Sequence, residues 1–104
     1  MNKFFNFLGI AKRSGNLVEG YSRFNEQRNK RDFYLVIIAD DASDKTRSKF
    51  KKHCIEKNIL LIEDFSKEEL GDPIGREEIM VLAVDDKNMA EKLFSLYQNE
   101  KGTN

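Results

Sequence analysis

The sequence predicts an α/β protein, a three-layer α/β/α sandwich with a small central mixed sheet and helices on both faces. Three short runs of apolar residues lie at 33–39, 59–62 and 79–84. Such continuous runs are typical of strands that are covered on both faces. Helical patterns separate the runs, so we expect helices to cover the sheet on both sides. A chain of 104 residues has room for one such domain.

The first two helices are predicted at residues 3–14 and 20–30. The first has an apolar stripe at three- and four-residue spacing, formed by Phe4, Phe7, Leu8 and Ala11. A very short strand at 17–18 separates it from the second helix, whose apolar stripe consists of Tyr21 and Phe24.

A third helix is predicted over 44–57, with Phe50 and Ile55 among the side chains that face the core. Ser66 and Glu69 then form a capping box, the pattern in which a serine and a glutamate three residues later satisfy the first turn of a helix. Glycine and proline follow within a few residues, so this fourth helix is short.

A last helix is predicted to begin after the caps Asp85 and Asp86. We expect a single domain over residues 1–98 and a frayed tail over residues 99–104, because chain ends are often poorly ordered.

The composition excludes several classes of protein. No run approaches the ~18 consecutive apolar residues of a membrane span. One cysteine, Cys54, and one histidine, His53, allow neither an internal disulfide nor a structural zinc site. The apolar segment at residues 4–11 lacks the cleavage site of a signal peptide. We therefore expect a cytoplasmic protein with no cofactor.

The charges sum to zero but are distributed unevenly along the chain. Residues 1–58 carry 13 basic and 7 acidic side chains, whereas residues 59–104 carry 5 and 11, so their net charges are +6 and −6. The basic residues are concentrated in the third helix, at 12–13 and at 28–31. A positive face would attract a polyanion, whereas mixing of the charges on folding would remove it.

Two adjacent carboxylates suggest one enzymatic alternative. Asp40 and Asp41 follow a buried strand, where open α/β sheets place their sites, and could hold magnesium for phosphoryl transfer as in a receiver domain. The favoured interpretation is that Asp40 or Asp41, together with Ser43, closes the turn and caps the next helix. His53 and Cys54 point about 100° apart on a helix and cannot easily form a catalytic pair. We expect neither catalysis nor a metal site.

Four segments occur in unbroken order: residues 8–15 (LGIAKRSG), Gly20, residues 35–43 (LVIIADDAS) and residues 69–78 (ELGDPIGREE). Together they resemble the L-seven-Ae ribosomal protein family, and within it the small bacterial YlxQ-like members. The similarity covers about residues 3–97. It implies a three-layer α/β/α sandwich and binding to RNA, typically to kink-turns, which are bent duplexes with tandem G·A pairs.

The resemblance also implies which residues contact RNA. The family's RNA-contacting helix begins with glycine, followed by asparagine at the second place, an acidic residue at the third and lysine at the sixth. Gly20 matches the glycine, whereas Ser22, Arg23 and Glu26 occupy the other three places. Lys30 matches a basic position one turn later.

A second contact in the family is a loop that packs an aliphatic and an acidic side chain against the kink. In this loop, residues 74–78, Arg76 occupies the aliphatic place, Glu77 matches the acid and Glu78 replaces a second aliphatic residue. The basic side chains are expected to hold phosphates. The predicted RNA-binding set is Lys12, Arg13, Gly20, Ser22, Arg23, Glu26, Lys30, Ile74, Arg76, Glu77 and Glu78.

These departures predict an atypical kink-turn site. We therefore expect a small non-catalytic RNA-binding protein, similar to ribosomal proteins, whose partner is a kink-turn or ribosomal RNA. One alternative is a protein-interaction module on the same fold that has lost RNA binding. The other is a magnesium-dependent, receiver-like phosphoryl-transfer domain that uses Asp40 and Asp41.

Overall fold

A mixed sheet of four strands lies at the centre of the computed structural model, which describes residues 2–102. Its strands are β1 (Leu17–Glu19), β2 (Leu35–Ile38), β3 (Leu60–Ile62) and β4 (Val81–Val84), in the spatial order β1-β4-β2-β3. β2 pairs parallel with β3 and antiparallel with β4, and β4 pairs antiparallel with β1. The three predicted apolar runs are therefore neighbours in one sheet, although each strand is shorter than its run.

Five α-helices accompany these strands in the described part of the chain, and three of them connect one strand to the next. They are α1 (Asn2–Arg13), α2 (Tyr21–Gln27), α3 (Asp44–Lys57), α4 (Lys67–Gly71) and α5 (Lys87–Lys101). A 3₁₀ turn over Asp72–Ile74 follows α4 directly. The predicted capping box is present at α4, where the Ser66 hydroxyl accepts from the Glu69 amide and the Glu69 carboxylate accepts from the Ser66 amide.

The side chains of β2 alternate between two cores, which confirms the three layers. Leu35 and Ile37 point into one core, formed with α1, α4 and α5. Val36 and Ile38 point into the other, formed with α2 and α3. All four residues have no exposed surface, because a central strand has a covered layer on each face.

Two residues predicted to be buried are exposed. Leu60 is 37% exposed, because β3 is an edge strand with a single neighbour. Ile55 is 76% exposed, and the buried side chains of α3 are those of Phe50 and Cys54.

Two predicted boundaries need correction. α2 ends at Gln27, where its carbonyl accepts from the amides of Lys30 and Arg31 at 2.9 and 3.1 Å and closes a turn. α5 continues to Lys101, so the helix does not fray at residue 99. Its end is held because Glu100 accepts from the Phe4 amide at 2.9 Å.

The ends of the predicted domain and tail, Met1 and residues 103–104, lie outside the described residues. No helix within residues 2–102 has the length and apolar character needed to cross a bilayer.

Candidate nucleic-acid interface

The start of α2 lies against the segment that leads into β4. Gly20 has a φ of +93°, a conformation that favours glycine. Its amide donates to the Val81 carbonyl at 2.8 Å. A Cβ at Gly20 would lie 3.9 Å from the Ile79 side chain. The structure therefore brings the two predicted RNA-binding elements, the start of α2 and the loop before β4, to one place.

Glu19 links three parts of this junction. Its carboxylate accepts from Arg76 Nε at 2.8 Å and lies 3.4 Å from Lys12 Nζ. Lys12 Nζ also donates to the Ile74 carbonyl at 2.8 Å. Lys12 and Arg76, two of the cations predicted to bind RNA, thus lie close together beside Gly20. Both of them contact the Glu19 carboxylate.

The sequence by itself does not mark Glu19 as a functional residue. An isolated acidic residue before a glycine carries no local signal, and its partners are 7 and 57 positions away along the chain.

Ser22, Arg23 and Glu26 are exposed on α2. Their spacing places Ser22 and Glu26 one turn apart on the same side of the helix. Among residues 2–102, neither Arg23 nor Glu26 forms an ion pair. Both charges are thus accessible to a ligand. Lys30 is also exposed, but it lies past the end of α2, at the opposite end of the helix from Gly20.

Arg13 is exposed in the last turn of α1. Its guanidinium lies close to Gly9, where an added Cβ would be 3.3 Å from one of its nitrogens. Among the described residues, Arg13 follows Lys12 in α1 but makes no contact with Gly20.

Ile74 differs from the other predicted residues. Its side chain is 4% exposed and belongs to the core beneath α1. Only its backbone takes part in the junction, through the carbonyl that binds Lys12. A side-chain contact between Ile74 and RNA is therefore incompatible with this packing.

The loop that carries Arg76 is tightly held. The Arg76 amide donates to the Gly71 carbonyl at 3.0 Å, and the Ile79 amide donates to the Lys67 carbonyl at 3.0 Å. Gly71 is needed here, because a Cβ would lie 2.8 Å from the Arg76 carbonyl oxygen. Arg76 therefore reaches the surface from a fixed backbone.

The surroundings of this loop are acidic. Acidic side chains flank Gly75 and Arg76 in a shallow depression: Glu68, Glu69, Asp72 and Glu77. Glu78 is exposed and pairs with Lys67 at 3.6 Å. The loop therefore presents one guanidinium among several carboxylates, unlike a uniformly basic phosphate site.

Folding mixes part of the charge that the sequence separates. Arg31 pairs with Asp85, and both Arg47 and Lys51 lie within 3.6 Å of the Glu63 carboxylate. These pairs join the basic first part of the chain to the acidic second part. The positive face that remains is consequently smaller than a net charge of +6 implies.

One of the two carboxylates considered for a magnesium site, Asp41, has a structural contact. Asp41 Oδ1 accepts from the Lys67 amide at 3.1 Å, at the start of α4. Ser43 caps α3, accepting from the Thr46 amide at 3.2 Å. Ser43 thus caps the next helix as predicted, whereas Asp41 binds the first amide of α4, whose cap is Ser66. Within residues 2–102, no group of three or more histidine, cysteine or carboxylate residues could hold a metal ion.

Comparison with known proteins gives a consistent result. The ribosomal protein L7Ae/L30e/S12e/Gadd45 family matches residues 2–94. The RNA-binding protein YlxQ of Bacillus subtilis (strain 168) is 36% identical over 95 residues, which cover 90% of this chain and 94% of that protein. The RNA-binding protein YlxQ of Enterococcus faecium is 28% identical over 96 residues, or 92% of each chain.

Solved structures share the fold. A protein of unknown function from Bacillus halodurans superimposes with a TM-score of 0.87 at 28% identity, over 94% of this chain and 99% of that one. The Giardia lamblia 15.5kD RNA binding protein superimposes with a TM-score of 0.72 at 20% identity, over 91% of this chain and 84% of that one.

Proposed function

Because the chain belongs to the ribosomal protein L7Ae/L30e/S12e/Gadd45 family, we propose that it is a small RNA-binding protein without enzymatic activity. Two relatives that it matches over nine-tenths of its length carry the name RNA-binding protein. The proposed partner is a structured RNA, with a kink-turn or another ribosomal RNA element as the first candidate. The protein would act in the cytoplasm as part of a ribonucleoprotein.

The junction at Gly20 is the observation that carries this proposal. Gly20 has no side chain, so a nucleic acid can approach the backbone closely there. Arg76 lies beside it, with its side chain 56% exposed and its Nε held by Glu19. An exposed guanidinium can stack on a splayed base, a mode that single-stranded parts of RNA often use.

The remaining cations have a different role. Arg13, Arg23 and Lys30 are exposed around the junction and along α2. Contacts from such side chains to phosphates position an RNA without reading its sequence. The specific part of recognition would therefore depend on Gly20 and Arg76, and the non-specific part on these three cations.

Glu26 works against this arrangement. Its carboxylate is exposed on α2, on the same side of the helix as Ser22. A carboxylate on an RNA-facing surface repels phosphates and offers no counterion to release. We therefore expect Glu26 to weaken binding.

Glu26→Lys tests the proposal. The variant removes a repulsion and adds one phosphate contact, so we expect about tenfold tighter binding to a kink-turn RNA at low salt, equivalent to ~1.4 kcal/mol. The logarithmic salt dependence should steepen by ~0.7–0.9. The measurement is a fluorescence-anisotropy titration against one kink-turn RNA and one straight duplex, at two salt concentrations.

Glu91→Lys is the matched control. Glu91 is exposed on α5, which packs on the other side of the sheet from α2. An equal gain from both variants, or an equal gain on both RNAs, would show only non-specific attraction. If the wild-type protein binds neither RNA above background, the interaction-module alternative replaces this proposal.

A further inference from the structure

A groove of about 430 Å³ lies between α2 and α3. It is formed on the α2 side by Tyr21, Asn25 and Arg28, which are three or four residues apart and so share one side of the helix. Ser22 and Glu26 do not line it. The groove is therefore a different surface from the α2 positions matched to the family's RNA contacts.

Aromatic rings form the floor of this groove. The Phe24 ring lies 5.2 Å from Phe50 and 5.6 Å from His53, and Tyr21 lies 5.7 Å from Phe50. Phe24 and Phe50 are buried, whereas Tyr21 is 37% exposed. The result is a supported cluster of rings with Tyr21 accessible at its edge, as a stacking platform for a planar ligand requires.

Cations surround these rings. Arg28, Lys52 and Lys57 line the groove and are exposed, and within residues 2–102 none of them forms an ion pair. Lys49 donates to the Tyr21 hydroxyl at 3.0 Å. Glu56 is the one acidic residue of the lining, so the groove has a net positive charge.

The electrostatic environment of His53 agrees with this excess of positive charge. Burial lowers the pKa of the His53 imidazole below its usual value, and the charges of Arg28 and Lys57 lower it further against the opposing effect of Glu56. This lowered pKa favours the neutral form of the imidazole. A neutral ring can stack on a base without adding to the positive charge.

We propose that this groove binds a single-stranded RNA segment, with a base packed against Tyr21 and His53 and the flanking phosphates held by Arg28, Lys52 and Lys57. The inference rests on the proposed function, because Tyr21 directly follows Gly20 and an RNA held at the junction can continue into the groove. A base and its phosphates would use both the rings and the cations. An acidic peptide would use the cations alone.

The test compares a kink-turn RNA with versions that carry a short single-stranded extension at either end. We expect one extension to tighten binding about tenfold at low salt, within the range for one stacked base and its phosphates. A 2-aminopurine in that extension should lose fluorescence on binding. The double variant Arg28→Glu, Lys52→Glu should abolish the gain, measured within that variant as the ratio of its affinities for the extended and the unextended RNA.

Lys45→Glu is the matched control. Lys45 is exposed on α3 but does not line the groove, so its charge reversal should leave the extension's contribution intact. Circular dichroism of each variant establishes that it is folded. Tyr21→Ser should restore most of the 2-aminopurine fluorescence, because it removes the ring but none of the cations.

The outcomes separate this inference from the function on which it rests. Binding of the kink-turn with no gain from either extension overturns the inference and leaves the proposed function in place. If the kink-turn does not bind, a free single-stranded oligonucleotide is tested alone. Binding that the double variant abolishes supports the groove without the proposed function. If the oligonucleotide does not bind either, both the inference and the proposed function are overturned. Polyglutamate and an oligonucleotide of equal charge are also compared as competitors for the extended RNA. If polyglutamate competes equally well, the groove is a general anion site and the inference is overturned.

Discussion

Replacing Glu19 with glutamine should destabilise the fold and tighten RNA binding at the same time. The Glu19 carboxylate is bound by Arg76 at 2.8 Å and by Lys12 at 3.4 Å, and its side chain is 18% exposed. Glutamine keeps the shape and one acceptor oxygen but removes the charge. The two cations would then be free to act on a phosphate.

The expected loss of stability follows from these contacts. Lys12 and Arg76 are 34% and 56% exposed, so each ion pair with Glu19 is screened by solvent. Such pairs contribute ~0.2–1 kcal/mol each, and the two together about 1 kcal/mol. For a domain of this size, 1 kcal/mol lowers the melting temperature by ~4–8 °C. Urea denaturation followed by circular dichroism measures this loss, with Glu91→Gln as a control that should show none.

The expected gain in binding comes from the removed negative charge. A unit charge about 8 Å from a phosphate contributes ~0.5 kcal/mol in water, and more where the surface excludes water. We therefore expect Glu19→Gln to bind the kink-turn RNA about two- to fivefold more tightly at low salt. The gain should decline as salt is raised, because salt screens such interactions.

Weaker binding by a variant that is still folded would refute this reasoning. It would mean that Glu19 acts chiefly by holding Arg76 in a productive orientation. Loss of stability without any change in affinity would place the junction away from the RNA altogether.

The remaining predictions concern Gly71, Ser43 and the thiol of Cys54. Gly71→Ala should destabilise the protein by ~1–3 kcal/mol in urea denaturation, because its Cβ would lie 2.8 Å from the Arg76 carbonyl oxygen, which belongs to the backbone. Ser43→Ala should cost ~1 kcal/mol in the same assay, since the Thr46 amide loses its cap, whereas Ser43→Asp should retain most of the stability. Burial raises the pKa of the Cys54 thiol to about 12, so the native protein should react slowly with a thiol reagent at pH 8.5 and rapidly once unfolded. Because the unfolded thiol ionises at lower pH than the buried one, the free energy of unfolding should also fall above about pH 9, and Cys54→Ala should remove that contribution.

Local patterns predicted most of the fold. The run at 33–39 contains β2, and the capping box at Ser66 starts α4 as predicted. These features depend on interactions between residues a few positions apart, so a single sequence displays them. The three-layer arrangement followed from the same patterns, because a strand that is apolar on both sides needs a layer on each face.

The errors occurred where distant contacts decide the outcome. A run such as 59–62 has the same composition at an edge as at the centre of a sheet, and only the strand order leaves Leu60 exposed. Likewise, α5 continues past residue 99 because Glu100 meets the backbone of Phe4, which lies 96 positions away in the sequence.

The sequence by itself determined the class of fold, the order of its elements and the family resemblance that indicates RNA. These are properties of neighbouring residues and of motif order. Only the tertiary structure decided how the charges are used. It paired Arg76 and Lys12 with Glu19 and buried Ile74, and among residues 2–102 it left Arg28 and Lys52 without an ion-pair partner at the groove between α2 and α3. Whether a charge is neutralised or available depends on which groups lie within a few ångströms of it, and those groups come from distant parts of the chain.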